Sequence, residues 1–205
     1  MSEISDPEYL PVMESFYTIQ GEGFYSGTPA YFIRLGGCDV GCVWCDVKES
    51  WDASQFDWFH VDEIVKEAVD SGTRIVVVTG GEPLMYDLSA LTRSLQAQGL
   101  QTNIETSGAY PLSGNWDWIC FSPKKFKKPL DEFYANSHEL KVVAFNKSDL
   151  KWAEDHGVKM TNTAQLFLQP EWSKEKEMTP LIVDFVKRNP GWKISLQTHK
   201  YMDIP

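Results

Sequence analysis

Apolar, β-branched runs recur along the chain at residues 30–35, 74–79, 102–105, 118–122, 140–145, 165–169 and 193–197, and each reads as a strand. Between them, residues 61–71, 88–98, 149–155 and 179–188 read as helices. The first helix places Val61, Ile64, Val65, Ala68 and Val69 at i, i+3, i+4, i+7 and i+8, one apolar stripe suited to lying on a sheet. Strands alternating with amphipathic helices predict a mainly parallel sheet with helices outside. No internal repeat, low-complexity segment or linker interrupts the pattern, so residues 1–205 read as a single domain.

The polar positions add a second pattern. Several predicted strands end in groups that a purely structural sheet does not need: Thr79-Gly80-Gly81-Glu82, Glu105-Thr106-Ser107, Ser122-Pro123-Lys124, Gln169-Pro170 and Gln197-Thr198-His199. In a β/α barrel these carboxyl ends share one face, where active sites are built. A complete eight-stranded barrel takes about 250 residues, so the expected fold is α/β, an incomplete TIM-like β/α barrel with a reduced helical layer. Helix-poor segments at 109–116 and 126–137 agree.

Composition narrows the classes. With 205 residues and 42% hydrophobic content there is enough apolar surface for a core. No apolar stretch approaches the ~20 residues of a membrane span, and nothing at the N-terminus resembles a signal peptide, which together with reduced thiols leads to an expected cytoplasmic location. A net charge of −10 argues against direct nucleic-acid binding. Lys124-Lys125-Phe126-Lys127-Lys128 is the local exception and reads as a solvated loop, apart from Lys124.

The chemistry sits in Cys38-Asp39-Val40-Gly41-Cys42-Val43-Trp44-Cys45, with spacing C-x3-C-x2-C in a glycine-rich loop. The remaining cysteine, Cys120, lies in an apolar run and reads as a buried strand residue. Zinc with a distant histidine, or a disulfide plus a free thiol, are two readings of such a loop. A third is a 4Fe-4S cluster held on three irons, whose open iron takes the amino and carboxylate groups of S-adenosylmethionine (SAM). The run Val76-Val77-Val78-Thr79-Gly80-Gly81-Glu82-Pro83 favours the third, because a buried strand entering two glycines lets a ligand ammonium approach backbone carbonyls.

Nearly from end to end the chain resembles the 7-carboxy-7-deazaguanine synthase family of radical SAM enzymes. The marks are Gln20-Gly21-Glu22-Gly23, Phe32-Ile33-Arg34-Leu35-Gly36-Gly37, the cysteine loop, Thr79-Gly80-Gly81-Glu82-Pro83, Glu105-Thr106-Ser107-Gly108, Ser122-Pro123-Lys124, Glu139-Leu140-Lys141-Val142-Val143 and Gln197-Thr198-His199-Lys200-Tyr201. The resemblance implies a radical SAM barrel over the whole chain. It also implies a carbon–nitrogen lyase that converts 6-carboxy-5,6,7,8-tetrahydropterin to 7-carboxy-7-deazaguanine with loss of ammonia, regenerating SAM. Cys38, Cys42 and Cys45 would bind the cluster. Trp44, Cys45, Asp46, Gly81, Ser122, Pro123, Lys124, Gln169, Pro170, Glu171 and Trp172 would line SAM, with Glu105 accepting from its ribose. Ile19, Gln20, Gly21, Glu22, Arg34, Thr79 and Pro205 would meet the substrate. A flavodoxin-like electron donor and a homodimer are implied on the same ground.

One position departs from the family. Its members carry Thr or Ser after the Cys-Asp pair as a ligand for Mg²⁺, whereas here Cys45-Asp46 is followed by Val47, which has no oxygen to offer a hard ion. Either Mg²⁺ binds through water and substrate alone, or a cation such as Lys48 shares its role, or the chemistry differs. Two rival functions keep the cysteine motif: an activase for a glycyl-radical enzyme and a non-catalytic iron–sulfur electron carrier. Neither has a use for the Gln-Gly-Glu-Gly and C-terminal marks.

Overall fold

A computed structural model describes residues 8–205. Among these, strands β1 (Tyr9–Ile19), β2 (Pro29–Leu35), β3 (Trp58–His60), β4 (Ile75–Gly80), β5 (Gln101–Thr106), β6 (Trp118–Phe121), β7 (Glu139–Ala144), β8 (Gln165–Pro170) and β9 (Trp192–Ile194) form one open sheet in the order β3-β1-β2-β4-β5-β6-β7-β8-β9. From β2 through β9 the neighbours pair in parallel, and β1 runs antiparallel to both β2 and β3. Helices α1 (Val61–Asp70), α2 (Ser89–Ala97), α3 (Glu132–Asn136), α4 (Ser148–Gly157), α5 (Glu175–Arg188) and α6 (Thr198–Met202) complete the fold.

All seven expected strands and four expected helices form, with shifted ends. The corrections have physical causes. β1 and β3 are not legible as apolar runs, because β1 carries Glu14 and Ser15 and is held by pairing with β2 rather than by its own pattern. Residues 126–137 contain the short α3, which buries Phe133 and Tyr134. β9 stops at Ile194, before the predicted 197, as Ser195 turns to donate to Gln169 Oε1 at 2.7 Å. Val69, placed on the apolar stripe of α1, is exposed, while Val61, Ile64, Val65 and Ala68 are buried.

Strand periodicity sorts core from site. On β7, Leu140, Val142 and Ala144 join the large core cluster against the helices, whereas Glu139 and Lys141 fall on the other face. Ile104, Ile119, Phe121 and Leu168 face the same core, and the intervening Glu105, Cys120 and Gln169 turn into the bore. Register places Glu105 opposite Cys120 and Cys120 opposite Glu139, so one layer of polar groups crosses the bore.

The open side is bridged by loops rather than strand pairing. Thr198 donates to the Gly21 carbonyl through its backbone N–H at 3.0 Å and its hydroxyl at 2.9 Å, and the Gly23 N–H donates to Ser195 Oγ at 2.9 Å. A Cβ at Gly21 would lie 2.2 Å from His199 Nδ1, and at Gly23, where φ is +64°, 2.1 Å from Glu139 Oε1. Both positions therefore require glycine.

Beneath the outer face, Tyr134 Oη and His156 Nδ1 lie 2.8 Å apart in the core. Burial, reinforced by nearby Lys159, lowers His156 from 6.5 to about 4. The unfolded chain then binds this proton more tightly, so stability should fall as pH drops from about 6.5 towards 4, by about 3 kcal/mol from this group. Urea unfolding across that range checks it: His156→Gln should flatten the slope, and an unchanged slope would assign the acid sensitivity elsewhere.

Candidate active site at the carboxyl ends of the strands

The strand ends open on a cavity of about 260 Å³, approaching the size of small-molecule sites, while a second one of about 10 Å³ in the bore holds little more than a water. Of the residues predicted for the site, Ile19, Gln20, Gly21, Glu22, Arg34, Thr79 and Pro205 line the large cavity. So do Cys38, Cys42, Trp44, Cys45, Asp46, Val47, Gly81, Glu105, Ser122, Lys124, Gln169, Glu171 and Trp172. Pro123 and Pro170 are not among the lining residues; they shape the chain beside it.

The cysteine loop is anchored at both margins. Gly37 and Cys38 donate to the carbonyls of Ser50 and Trp51 at 2.6 and 3.1 Å, and a turn closes from Cys45 N–H to the Cys42 carbonyl at 3.1 Å. Asp39 accepts from Lys127 at 2.7 Å and from Tyr110 at 2.6 Å, and these bonds hold its carboxyl below the usual range. The loop is thereby tied to the segments that follow β5 and β6. Gly80 and Gly81 serve this packing. A Cβ on Gly81 would stand 2.1 Å from the Gly37 carbonyl oxygen, and one on Gly80 2.3 Å from that of Leu35. Glu82 is a strut: its buried carboxylate accepts from Thr106 Oγ1 at 2.6 Å and from Ser107 N and Oγ at 2.8 and 2.5 Å.

The thiol chemistry fits an iron–sulfur cluster. Burial raises Cys38 and Cys42, the latter to about 11, and the neighbouring thiols push in the same direction. Three thiolates in such a pocket need a cationic partner, which cluster irons supply. Among the described residues no three His, Cys, Asp or Glu side chains converge on one metal-ion position; a cubane instead gives each thiolate its own iron. Cys120 is buried in the bore, donates to Glu139 Oε1 at 3.6 Å, and lines only the small cavity. Lys124 donates to Ser122 Oγ at 2.6 Å and stands 5.7 Å from the Trp44 ring centroid, with burial lowering its pKa.

Across the cavity, Glu22 Oε2 accepts from Lys141 at 2.5 Å and Oε1 from Gln197 at 2.8 Å. Burial alone would raise this carboxyl, but the Lys141 charge, those two bonds and the nearby His199 hold it down to about 2. Arg34 engages Glu14 through Nε at 2.7 Å, and its side chain lines the cavity. The Phe16 and Phe32 rings stack 5.5 Å apart on the same wall. Lys141, Phe16 and Phe32 stand outside the predicted site, and Gln197 and His199 enter it only as the polar end of the last predicted strand. For Lys141 the signal was present, a charge between Leu140 and Val142 in an otherwise buried strand.

At the position where the family resemblance implies a Mg²⁺ ligand, Val47 offers only methyl groups to the cavity, and the preceding Asp46 accepts from Lys200 through Oδ2 at 3.0 Å. Lys48 stands 6.0 Å from the Trp51 ring centroid and does not line the cavity.

An open, mainly parallel barrel that carries three cysteines in a loop beside Gly80-Gly81 defines a radical SAM enzyme, and residues 32–122 match the radical SAM superfamily model. The chain is 59% identical to the 7-carboxy-7-deazaguanine synthase of Flavobacterium psychrophilum over 97% of its own length and 94% of the relative's. It is 45% identical to that of Synechocystis, over 100% and 97% of the two chains. The crystal structure of QueE from Escherichia coli superposes with a TM-score of 0.82 at 29% identity, over 92% of this chain and 93% of that one. The chain therefore belongs to the 7-carboxy-7-deazaguanine synthase family. Membership sets aside the zinc, activase and electron-carrier readings of the cysteine loop.

Replacing Cys38, Cys42 or Cys45 with Ala should lower the iron content of anaerobically reconstituted protein from about four per chain and abolish SAM cleavage, while Cys120→Ala should retain both. Iron analysis and 5′-deoxyadenosine release give the readout. Equal dependence on Cys120 would move the cluster.

Proposed function

We propose that this chain converts 6-carboxy-5,6,7,8-tetrahydropterin to 7-carboxy-7-deazaguanine and ammonia, a lyase step that feeds 7-deazapurines such as queuosine. The observation that carries this reading is a half-buried Glu22, held by Lys141 and Gln197, facing the three-cysteine loop across one cavity. A pterin presents an edge of N–H donors, which a carboxylate can accept on both oxygens with charge assistance, whereas a protonated acid turns one oxygen into a donor. Substrate and product differ by one ammonia, so the reaction needs no net oxidant. It needs an initiator that is recovered.

Cys38, Cys42 and Cys45 would hold a 4Fe-4S cluster whose open iron binds SAM, and this pair would supply the 5′-deoxyadenosyl radical that takes hydrogen from substrate C6. The chain's own part is placement. Ser122, Lys124, Gln169, Glu171 and Trp172, which line the cavity, would face SAM, and Glu105 would accept from its ribose. Arg34 offers a planar fork to the substrate carboxylate, with Thr79 and Pro205 beside it, and Pro205 is fixed by a 3.3 Å bond from Thr18 to its carbonyl. The stacked Phe16 and Phe32 exclude water from that wall.

Residues 1–205 act in this reading as one radical SAM domain, in keeping with a single sheet among the described residues. A flavodoxin-like electron donor, a homodimer and a cytoplasmic location complete it on family likeness; among the described residues no helix is long and apolar enough to cross a membrane. We assign no protein ligand to Mg²⁺.

The test is anaerobic turnover with SAM, reductant and the carboxypterin. Ammonia and 7-carboxy-7-deazaguanine should appear in equal amounts without net loss of SAM, and uncoupled SAM cleavage with no deazapurine would refute the assignment. In the same assay, added Mg²⁺ should stimulate only weakly after chelation, and Val47→Thr, which restores an oxygen without changing shape, should strengthen the response. Strong stimulation that Val47→Thr leaves unchanged would mean that the ion finds ligands elsewhere.

A further inference from the structure

Lys141 is the one residue of the Glu139-Leu140-Lys141-Val142-Val143 mark whose side chain touches both halves of the cavity, and the reaction as described gives it no part. It is only 3% exposed, on the bore face of β7, between two carboxylates from distant segments. Glu22 Oε2 lies 2.5 Å from its Nζ and Glu105 Oε2 lies 3.1 Å away. Each carboxylate is completed by an amide. Gln197 donates to Glu22 Oε1 at 2.8 Å, Gln20 donates to Glu105 Oε1 at 3.1 Å, and Gln20 Oε1 accepts from the Glu22 N–H at 3.0 Å. A carboxylate has about four lone-pair positions, so each keeps acceptor capacity for a ligand after these bonds.

We propose that Lys141 is a positioning residue that holds Glu22 and Glu105 in one fixed arrangement across the bore and keeps Glu22 an acceptor-only group for the donor edge of the substrate. This rests on the functional reading above, in which Glu22 meets the pterin and Glu105 the SAM ribose. The remaining groups around the ammonium are Glu139 and Cys120 from the bore layer, with Lys124 and His199, which line the cavity. Burial works against the Lys141 charge, yet Glu105, Glu22, Cys120 and Glu139 hold its pKa well above the usual lysine range. Without the ammonium, three carboxyl groups would share the bore, and the desolvated Glu22 would take up a proton. A protonated Glu22 turns a donor towards a donor edge.

The measurement is carboxypterin affinity by calorimetry on reconstituted, SAM-bound protein with the cluster kept oxidised, so that no turnover occurs, between pH 6 and 8.5. The unaltered protein should show no pH dependence from Glu22. Lys141→Met should bind at least ~10-fold more weakly at pH 6, losing affinity about tenfold for each pH unit below the raised Glu22 pKa. Lys141→Arg, which keeps the charge, should restore a flat profile. A Lys141→Met protein as tight and as flat as the unaltered one overturns the inference. Should Lys141→Met not fold, Lys141→Met with Glu22→Gln takes its place. Coupling predicts that the lysine change adds no more than about twofold to the loss from Glu22→Gln alone, and a larger added loss overturns the inference. Unaltered protein that binds SAM but no carboxypterin overturns the functional reading itself, an outcome distinct from either variant result.

Discussion

A buried ammonium between two carboxylates is the interaction on which the substrate half of this molecule depends. Lys141 reaches Glu22 from the β1–β2 connection and Glu105 from β5 at once. An ammonium out of water is costly unless paired and hydrogen-bonded, and removing one partner of such a set typically costs about 3–5 kcal/mol. The set therefore fixes where the Gln20-Gly21-Glu22-Gly23 loop lies. That loop in turn receives Thr198 and Ser195, which bring the C-terminal segment, with Gln197 and His199, over the same opening. An open sheet whose first and last strands do not pair is thus bridged by polar side chains converging on one charge.

The cofactor half is built on the opposite principle, close backbone approach instead of charge. Gly80 and Gly81 leave no room for a side chain against Leu35 and Gly37, which seats the start of the cysteine loop directly on the end of β4. Glu82 then fastens that turn to the end of β5 through Thr106 and Ser107. Since Glu105 lies on the same strand, β5 carries both the anchor of the Glu82 strut and the acceptor linked to Lys141. The two halves share one rigid element, which sets the distance between the thiols and Glu22.

Much of this was legible in the sequence because it rests on local pattern. Strands buried on both faces read as continuous apolar runs, and helices α1 and α2 carry clear stripes. The cysteine spacing and the polar strand ends located the cavity, and all but Pro123 and Pro170 of the predicted site residues line it. What escaped depends on partners far away in the chain. β1 is a strand because β2 runs beside it, and Val69 is exposed because the turn of α1 carries it past the sheet. Lys48 looked like the cation nearest the missing magnesium ligand, but its chain direction takes it to Trp51, and Lys200 from α6 occupies the position beside Asp46. Lys141 could be flagged as a charge in a buried strand, though not joined to Glu22, 119 residues away.

The most direct test of the whole account is an anaerobic crystal structure of the reconstituted protein with SAM and 6-carboxy-5,6,7,8-tetrahydropterin. SAM should sit on the cluster held by Cys38, Cys42 and Cys45, with the donor edge of the pterin on Glu22, its carboxylate towards Arg34, and Lys141 still bridging Glu22 and Glu105. A pterin turned so that Glu22 faces no donor, or a Lys141 drawn away to bond the substrate itself, would contradict it.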